Sequence, residues 1–363
     1  MTRRLMQGSE AIAESMVQAD CRFFAGYPMT PFTEVLEHMA KLLPEVGGTC
    51  INAESELEAI GMVWGAAATG TRAATGSVGQ GLSLMQESLA ELCLARVPVV
   101  VINMARGQGD YFQATRGGGH GDYRHIVLAP SDAAEAVRLT QLAFYLSDYW
   151  RNPVLLMGDY YLAHVAEAVD TSTIQFGELP EKIWALDGRT GGSGEPKLIS
   201  PLRDPHTREA VQDQYGQYLM RSTEHIAEMQ AGVEPIVEIG FAEDAELLVV
   251  AYGTPGRYAR YTVARLREEG VPVGYVRPVS LWPFPAEELL AAIGPKTRAV
   301  AVYELNAGQM IDDVRLAVLG RVPIHSIGGP SFDSAAFGIA PSLEVDLVAD
   351  RIRTCLNSLT DAV

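Results

Sequence analysis

The chain has 363 residues, is 48% hydrophobic and carries a net charge of −17 at neutral pH. That length exceeds one ordinary core, so two domains are expected, and the acidic charge repels phosphates, which excludes a nucleic-acid or anionic-membrane surface. No apolar run reaches the roughly 18–20 residues of a membrane span. The start Met1–Glu10 has no signal-peptide centre and the cysteines (Cys21, Cys50, Cys93, Cys355) form no C-x-x-C pair, which reads as a cytoplasmic protein with buried thiols, no disulfide framework, no zinc site and no iron–sulfur cluster of its own.

From Ser9 to about Gly158, helix-period stretches alternate with short β-branched runs, the pattern of a parallel sheet covered by helices. Strands are expected at Cys21–Gly26, Arg72–Thr75, Val97–Met104, His125–Ala129 and Val154–Gly158, with helices at Pro31–Leu43, Ser55–Ala68, Leu82–Ala95 and Ser131–Ser147. Between about Asp170 and Pro235 the pattern lapses into Gly, Pro and charge, notably Asp187–Pro196, and reads as a linker with one helix near Tyr215–Gly232. A second alternating unit follows, with strands at Glu246–Tyr252, Val271–Arg277, Arg298–Glu304 and Val322–Ile327 and helices at Gly256–Glu269, Ala286–Ile293, Gly308–Leu319 and Ser342–Leu359.

Thr30 follows a strand and precedes Pro31. It reads both as a helix N-cap and as a hydroxyl in a strand-to-helix crevice, where parallel sheets collect ligands. In Glu54-Ser55-Glu56-Leu57-Glu58, Ser55 and Glu58 have capping-box spacing ahead of Leu57, Ile60, Trp64 and Ala67. Glu56 then either decorates the first helical turn or bonds a ring nitrogen of a heterocyclic cofactor. Gly76-Ser77-Val78-Gly79-Gln80-Gly81 reads as a tight strand-to-helix turn that admits a ligand to backbone amides, although it matches no nucleotide fingerprint. Arg106, directly after the most apolar strand, reads either as a fork for a carboxylate or as a surface arginine. The following run through Arg124 is glycine-rich and reads as a mobile site loop containing Asp110, Tyr111 and His120. No nucleophile elbow and no metal-ligand cluster is visible. Asn306, in Glu304-Leu305-Asn306-Ala307-Gly308-Gln309-Met310, reads as a helix N-cap with an interdomain or subunit contact.

Five ordered motifs resemble the α subunit of 2-oxoacid:ferredoxin oxidoreductases, most closely the branched-chain (3-methyl-2-oxobutanoate) type. They are Gly26-Tyr27-Pro28-Met29-Thr30-Pro31, Ala53-Glu54-Ser55-Glu56, Leu84-Met85-Gln86-Glu87, Asp110–Thr115 with Gly117–Arg124, and Glu304–Met310. The resemblance runs through both domains. It implies an α/β fold in which residues 1–169 form a pyrimidine-type thiamine-diphosphate parallel-sheet domain, 170–235 a linker, and 236–363 a transketolase C-terminal-like domain. It places Glu56 at the glutamate that bonds N1′ of the aminopyrimidine, Thr30 and Arg106 at positions holding the substrate's carboxylate and carbonyl, and Tyr27, Pro28, Gly79 and Gly81 around the cofactor. No metal ligand is assigned to this chain. A β subunit is implied to hold the diphosphate and Mg²⁺, and γ and δ subunits the [4Fe-4S] clusters, with CoA taking the acyl group and ferredoxin or another acceptor the electrons.

The chain departs from that pattern around the substrate. Arg106-Gly107-Gln108-Gly109 runs straight into Asp110, where family members carry Gly-Gly-Pro and a longer stretch; Met29 replaces Ile; and Gly79-Gln80-Gly81 stands in place of a Ser-Gly-Pro-Gly or Ser-Pro-Gly type loop. A shortened lid is expected to admit a bulkier, aromatic 2-oxo acid. The competing readings are a non-oxidative thiamine-dependent decarboxylase or ligase subunit and a non-catalytic assembly subunit.

Overall fold

The computed structural model describes residues 3–186, 214–331 and 340–360, so the glycine-rich run Asp187–Pro196 lies outside the described residues. The first half of the chain comprises β1 (Arg4–Gln7), α1 (Gly8–Gln18), β2 (Phe23–Gly26), α2 (Thr33–Glu45), β3 (Thr49–Asn52), α3 (Glu56–Ala68), β4 (Ala73–Ser77), α4 (Gly79–Leu94), β5 (Val100–Ala105), α5 (Tyr111–Thr115), β6 (Ile126–Leu128), α6 (Ala133–Trp150), β7 (Val154–Asp159), α7 (Tyr160–His164) and β8 (Ala166–Val169). There follow α8 (Gln214–Gly232), β9 (Val237–Gly240), β10 (Leu247–Val250), α9 (Gly253–Glu268), β11 (Val273–Pro278), β12 (Ser280–Trp282), α10 (Ala286–Ala292), β13 (Ala299–Val302), α11 (Met310–Val318), β14 (Ile324–Ser326) and α12 (Val345–Thr360).

Seven strands in the order β12-β6-β7-β5-β4-β2-β3 form the first sheet, five in the order β14-β13-β10-β11-β9 the second, and β1 pairs with β8 in a small antiparallel ribbon. Pairing is parallel except at two edges, where β12 and β9 run antiparallel to β6 and β11. Because side chains alternate across a strand, a parallel sheet covered on both faces divides its residues between two cores. Val101, Val127 and Leu155 face one core, whereas Val100, Ile102, Ile126, Val154 and Leu156 face the other. The first of these cores continues into the second sheet through Leu248, Val250, Val276 and Val302, while Leu247, Val249 and Ala301 face a third core under α9 and α12.

Two features tie the halves together beyond shared apolar burial. Strand β12, from the later half of the sequence, is the edge strand of the first sheet. Arg277 on β11 is buried and makes a bidentate pair with Glu135 on α6 at 2.9 and 3.0 Å, while its Nε donates to Glu238 at 2.8 Å. A buried guanidinium needs such partners for each of its forked donors.

Several local expectations change. Helix α2 begins at Thr33 with Phe32 at its N-cap, so Thr30 lies in the turn ahead of the helix and does not cap it. Ser55 does occupy the N-cap of α3, but its hydroxyl meets the Glu58 side chain and makes no bond to a backbone N–H, so the capping box is not formed. The buried face of α3 is Glu56, Ala59, Ile60, Val63 and Ala67, and Leu57, expected inside, is exposed. Gly79 and Gly81 fall in the first turn of α4, so the anticipated loop is already helical. All four cysteines are free thiols; burial pushes Cys21 up to about 12 and Cys50 up to about 11, which keeps them protonated and unreactive.

Candidate active site

The carboxyl ends of β2, β4 and β5 come together at one edge of the first sheet, with Gly26 opposite Asn52 and Ser77 opposite Asn103. Glu56 enters this edge from the first residue of α3. Its carboxylate is buried, with only 3% of the residue exposed, and Ser77 at the end of β4 donates its hydroxyl to Oε1 at 2.6 Å. Among the described residues Oε2 has no hydrogen-bond partner, which leaves it free to accept from a ligand. Gly81 makes room for this pair: a Cβ there would lie 2.0 Å from Ser77 Oγ and 2.2 Å from Glu56 Oε1. Met29 lines the same spot, its sulfur 3.9 Å from Ser77 Oγ.

Thr30 and Arg106 also meet. Arg106 Nε donates to the Thr30 carbonyl at 3.0 Å, which ties the turn after β2 to the end of β5. The Thr30 hydroxyl has no partner among the described residues and the residue is exposed, as are Tyr27 and Pro28 beside it. Arg106 lines a cavity of about 340 Å³ together with Gly79, Gln80, Ser83, Gly107, Gly109, Asp110 and Gln113. Asp110 accepts from Asn103 Nδ2 at 3.0 Å and packs where a Gly79 Cβ would stand, 2.3 Å from Asp110 Oδ1. Burial raises the Asp110 pKa above the ordinary carboxylate value, and the Asn103 amide and the Arg106 charge pull it partly back.

The run from Arg106 to Arg124, expected to be mobile, is instead held at many points. Tyr111 is fully buried, donates to Asp313 at 2.6 Å and packs 5.5 Å from the Tyr252 ring. Arg116 pairs with the same Asp313 through two bonds of 2.9 and 3.0 Å. The glycines that follow wrap the Tyr123 phenol: the N–H groups of Gly118 and Gly119 donate to its oxygen at 2.8 and 2.7 Å, and a Cβ on Gly117 would stand 2.3 Å from it. His120 points away from this work. It is exposed beside Glu87 and Glu91 on α4 and does not line the cavity. The sequence shows no metal-ligand cluster, yet folding brings these three side chains together, their ligand atoms within 4.8 Å of one another.

A family model described as pyruvate flavodoxin/ferredoxin oxidoreductase, thiamine diP-binding, matches residues 14–234, more than half of the chain. The chain belongs to the 2-oxoacid:ferredoxin oxidoreductase family. A second model, pyruvate:ferredoxin oxidoreductase core domain II, matches 245–333. Ketoisovalerate oxidoreductase subunit VorB of Methanothermobacter thermautotrophicus is 36% identical over 327 residues, covering 87% of this chain and 90% of the relative. 2-Oxoglutarate synthase subunit KorA of Methanocaldococcus jannaschii is 36% identical over 340 residues, covering 86% and 91%. A solved 2-oxoglutarate:ferredoxin oxidoreductase from Magnetococcus marinus superposes with a TM-score of 0.82 at 24% identity, covering 97% of this chain and 65% of that one, a likeness of fold.

For a 2-oxoacid:ferredoxin oxidoreductase chain, the donor set fits a thiamine ring. A buried carboxylate with one oxygen fixed and the other open suits a heterocyclic nitrogen, and Gly81 keeps side chains out of the space beside it. Sequence reading missed Ser77, Asn103, Gln108, Glu304 and Gln309. Ser77 sat inside a glycine run read as a turn; extending β4 by two residues puts its hydroxyl at the strand end facing Glu56.

Proposed function

We propose that this chain is the subunit that holds the pyrimidine side of thiamine diphosphate in a cytoplasmic 2-oxoacid:ferredoxin oxidoreductase, which oxidatively decarboxylates a branched-chain or aromatic 2-oxo acid to CO₂ and acyl-CoA. The observation that carries the reading is the buried Glu56 carboxylate, anchored by Ser77 on one oxygen and open on the other, at the sheet edge where Arg106 and Thr30 are tied together.

When bound, the cofactor supplies the nucleophilic carbon that adds to a 2-oxo acid and an electron sink for the charge left by departing CO₂. Glu56 holds the proton shared with the pyrimidine N1′, and Ser77 fixes the carboxylate so that this proton sits at Oε2. Arg106 pairs with the substrate carboxylate through its remaining guanidinium N–H groups. The Thr30 hydroxyl donates to the keto oxygen. Tyr27 and Pro28 flank the cofactor on the open side, and Gly79 and Gly81 leave space for it. Asp110 and Tyr111 shape the substrate loop, with Tyr111 acting as its buried anchor.

The cavity wall supplied by this chain is polar. It therefore receives the carboxylate end of the substrate. A β subunit carrying the diphosphate and Mg²⁺ completes the site, and exposed Leu57, Met62 and Leu84 on α3 and α4 offer it an apolar landing surface. The [4Fe-4S] clusters belong to γ and δ partners, CoA accepts the acyl group and ferredoxin or a related acceptor takes the electrons. The division at 1–169, 170–235 and 236–363 belongs to the same reading. The name of the ketoisovalerate relative supports a branched-chain substrate, and the short Arg106–Asp110 connection supports room for an aromatic one.

The test is acceptor reduction by the complex purified from its native source across a panel of 2-oxo acids, with wild-type chain and Glu56→Gln. Glu56→Gln is expected to lower turnover by roughly a hundredfold or more. Wild-type rates in that variant, or decarboxylation without acceptor reduction, would overturn the assignment. Turnover of 3-methyl-2-oxobutanoate far above that of arylpyruvates would remove the aromatic branch of it.

A further inference from the structure

The segment Glu304–Met310 takes no part in the chemistry proposed above, yet it is bonded to the connection that carries Arg106. Residues 106–110 link β5 to α5 and include Gly107 and Gly109, which restrict the backbone little. The later half of the chain takes up two carbonyls of this connection and the Gln108 side chain. Asn306 Nδ2 donates to the Gln108 carbonyl at 2.8 Å. The Gln108 side chain donates to the Tyr252 carbonyl at 3.1 Å and accepts from Leu305 N–H at 2.8 Å. Gln309 closes the clamp: its Nε2 donates to the Gly109 carbonyl at 2.9 Å while its Oε1 accepts from Phe112 N–H at 2.8 Å.

A primary amide is the side-chain group that offers a donor and an acceptor at adjacent atoms, so Gln309 can bridge two backbone groups of opposite polarity. Its own place is set from below, since its N–H donates to the buried Glu304 carboxylate at 3.1 Å. The clamp reaches the first turn of α5 at Phe112, and Asp313 anchors the same helix independently through Tyr111 and Arg116.

We infer that Gln309, in the C-terminal unit, is a positioning residue for 2-oxo acid binding: it fixes the 106–112 backbone so that Arg106 is presented beside Thr30. The inference rests on the reading of Arg106 as the group that meets the substrate carboxylate. Asn306 and Gln108 serve the same end by fixing the middle of the connection.

The test uses the assembled complex with Gln309→Ala, Gln309→Glu and, as control, Arg106→Ala. Two readouts are taken: kinetics against the 2-oxo acid, and amide hydrogen exchange of the segment 106–115. Gln309→Ala is expected to lower kcat/KM for the 2-oxo acid roughly tenfold, chiefly through KM, and to speed exchange at Phe112. Its thermal midpoint should stay near the wild-type value, because α5 keeps its Asp313 anchor. Gln309→Glu keeps the acceptor for Phe112 N–H, so protection there is retained and the kinetic loss is smaller. Unchanged exchange at Phe112 in Gln309→Ala, or faster exchange with kcat/KM within about twofold of wild type, overturns the inference while leaving Arg106 in its role. An Arg106→Ala variant with wild-type kcat/KM removes the reading of Arg106 and this inference with it.

Discussion

Glu56 reaches the crevice because the buried face of α3 runs one residue earlier than its apolar residues suggest. Leu57, Ile60, Trp64 and Ala67 make a plausible hydrophobic stripe, but the chain buries Glu56, Ala59, Ile60, Val63 and Ala67. An exposed leucine beside a buried carboxylate runs against the usual transfer preference. The arrangement persists because Ser77 supplies a hydrogen bond and Gly81 supplies the space. Removing each should therefore have a distinct cost. Ser77→Ala is expected to weaken apparent thiamine diphosphate affinity and lower kcat/KM by roughly tenfold, with Ser77→Thr restoring most of it. Gly81→Ala puts a methyl group into the carboxylate and should cost roughly a hundredfold. Cofactor titration of the purified complex, followed by acceptor reduction, measures both, and a Gly81→Ala enzyme equal to wild type would show that this space is not needed.

Among the elements, the alternating strands and the main helices of both sheets were readable from periodicity, because they bury two faces or one continuous stripe. Other strands were not. Strands β1, β3, β8 and β9 bury few side chains, so their apolar signal is weak, and β12 is three residues that become a strand by pairing with β6, far back in the sequence. The helix starts misled for a related reason. Asn306 looks like the cap of α11, but the cap residue is Gln309, and the orphan N–H groups of Gln309, Met310 and Ile311 are taken by Glu304 at 3.1, 2.8 and 3.1 Å. A carboxylate six residues ahead of the first helical residue matches no capping pattern. At this fully buried position Glu304→Ala should destabilise the fold by about 2 kcal/mol, read as a lowered thermal midpoint, and Glu304→Gln by less. The motifs around Thr30, Glu56 and Arg106 were legible by resemblance. Their supporting shell was not: Ser77 and Gln309 act on residues far along the chain, and Asn103 sits inside an apolar strand and reaches Asp110 only across the turn that follows it.

The whole molecule carries a pH signature from burial. His125 is fully buried and its pKa is lowered to about 4 by desolvation, with Nδ1 donating to the Ala114 carbonyl at 3.1 Å. Because the folded value lies below the unfolded value near 6.5, the unfolded chain takes up a proton at a pH where the folded chain does not. The stability present above pH 6.5 is thus lost as pH falls toward 4, by about 3 kcal/mol for the full shift. Buried Asp110 and Asp159, whose pKa values burial raises, act in the opposite sense, so the comparison is made against His125→Gln, in which they are unchanged. Wild type should lose more thermal stability than the variant between pH 7 and pH 4.5, and equal losses would refute the assignment.

Strand β12 carries a consequence for how such a subunit can be rearranged. It is made by the later half of the sequence but closes the sheet of the earlier half, and the adjacent β11 holds the Arg277 that neutralises Glu135. A gene cut after residue 235 would yield an amino-terminal product with an uncovered strand edge at β6 and a carboxylate stripped of its counter-ion, both of which invite aggregation. The smallest piece that can be traded between related enzymes is therefore the entire chain, and recombination at the apparent linker would break two walls while seeming to fall between them.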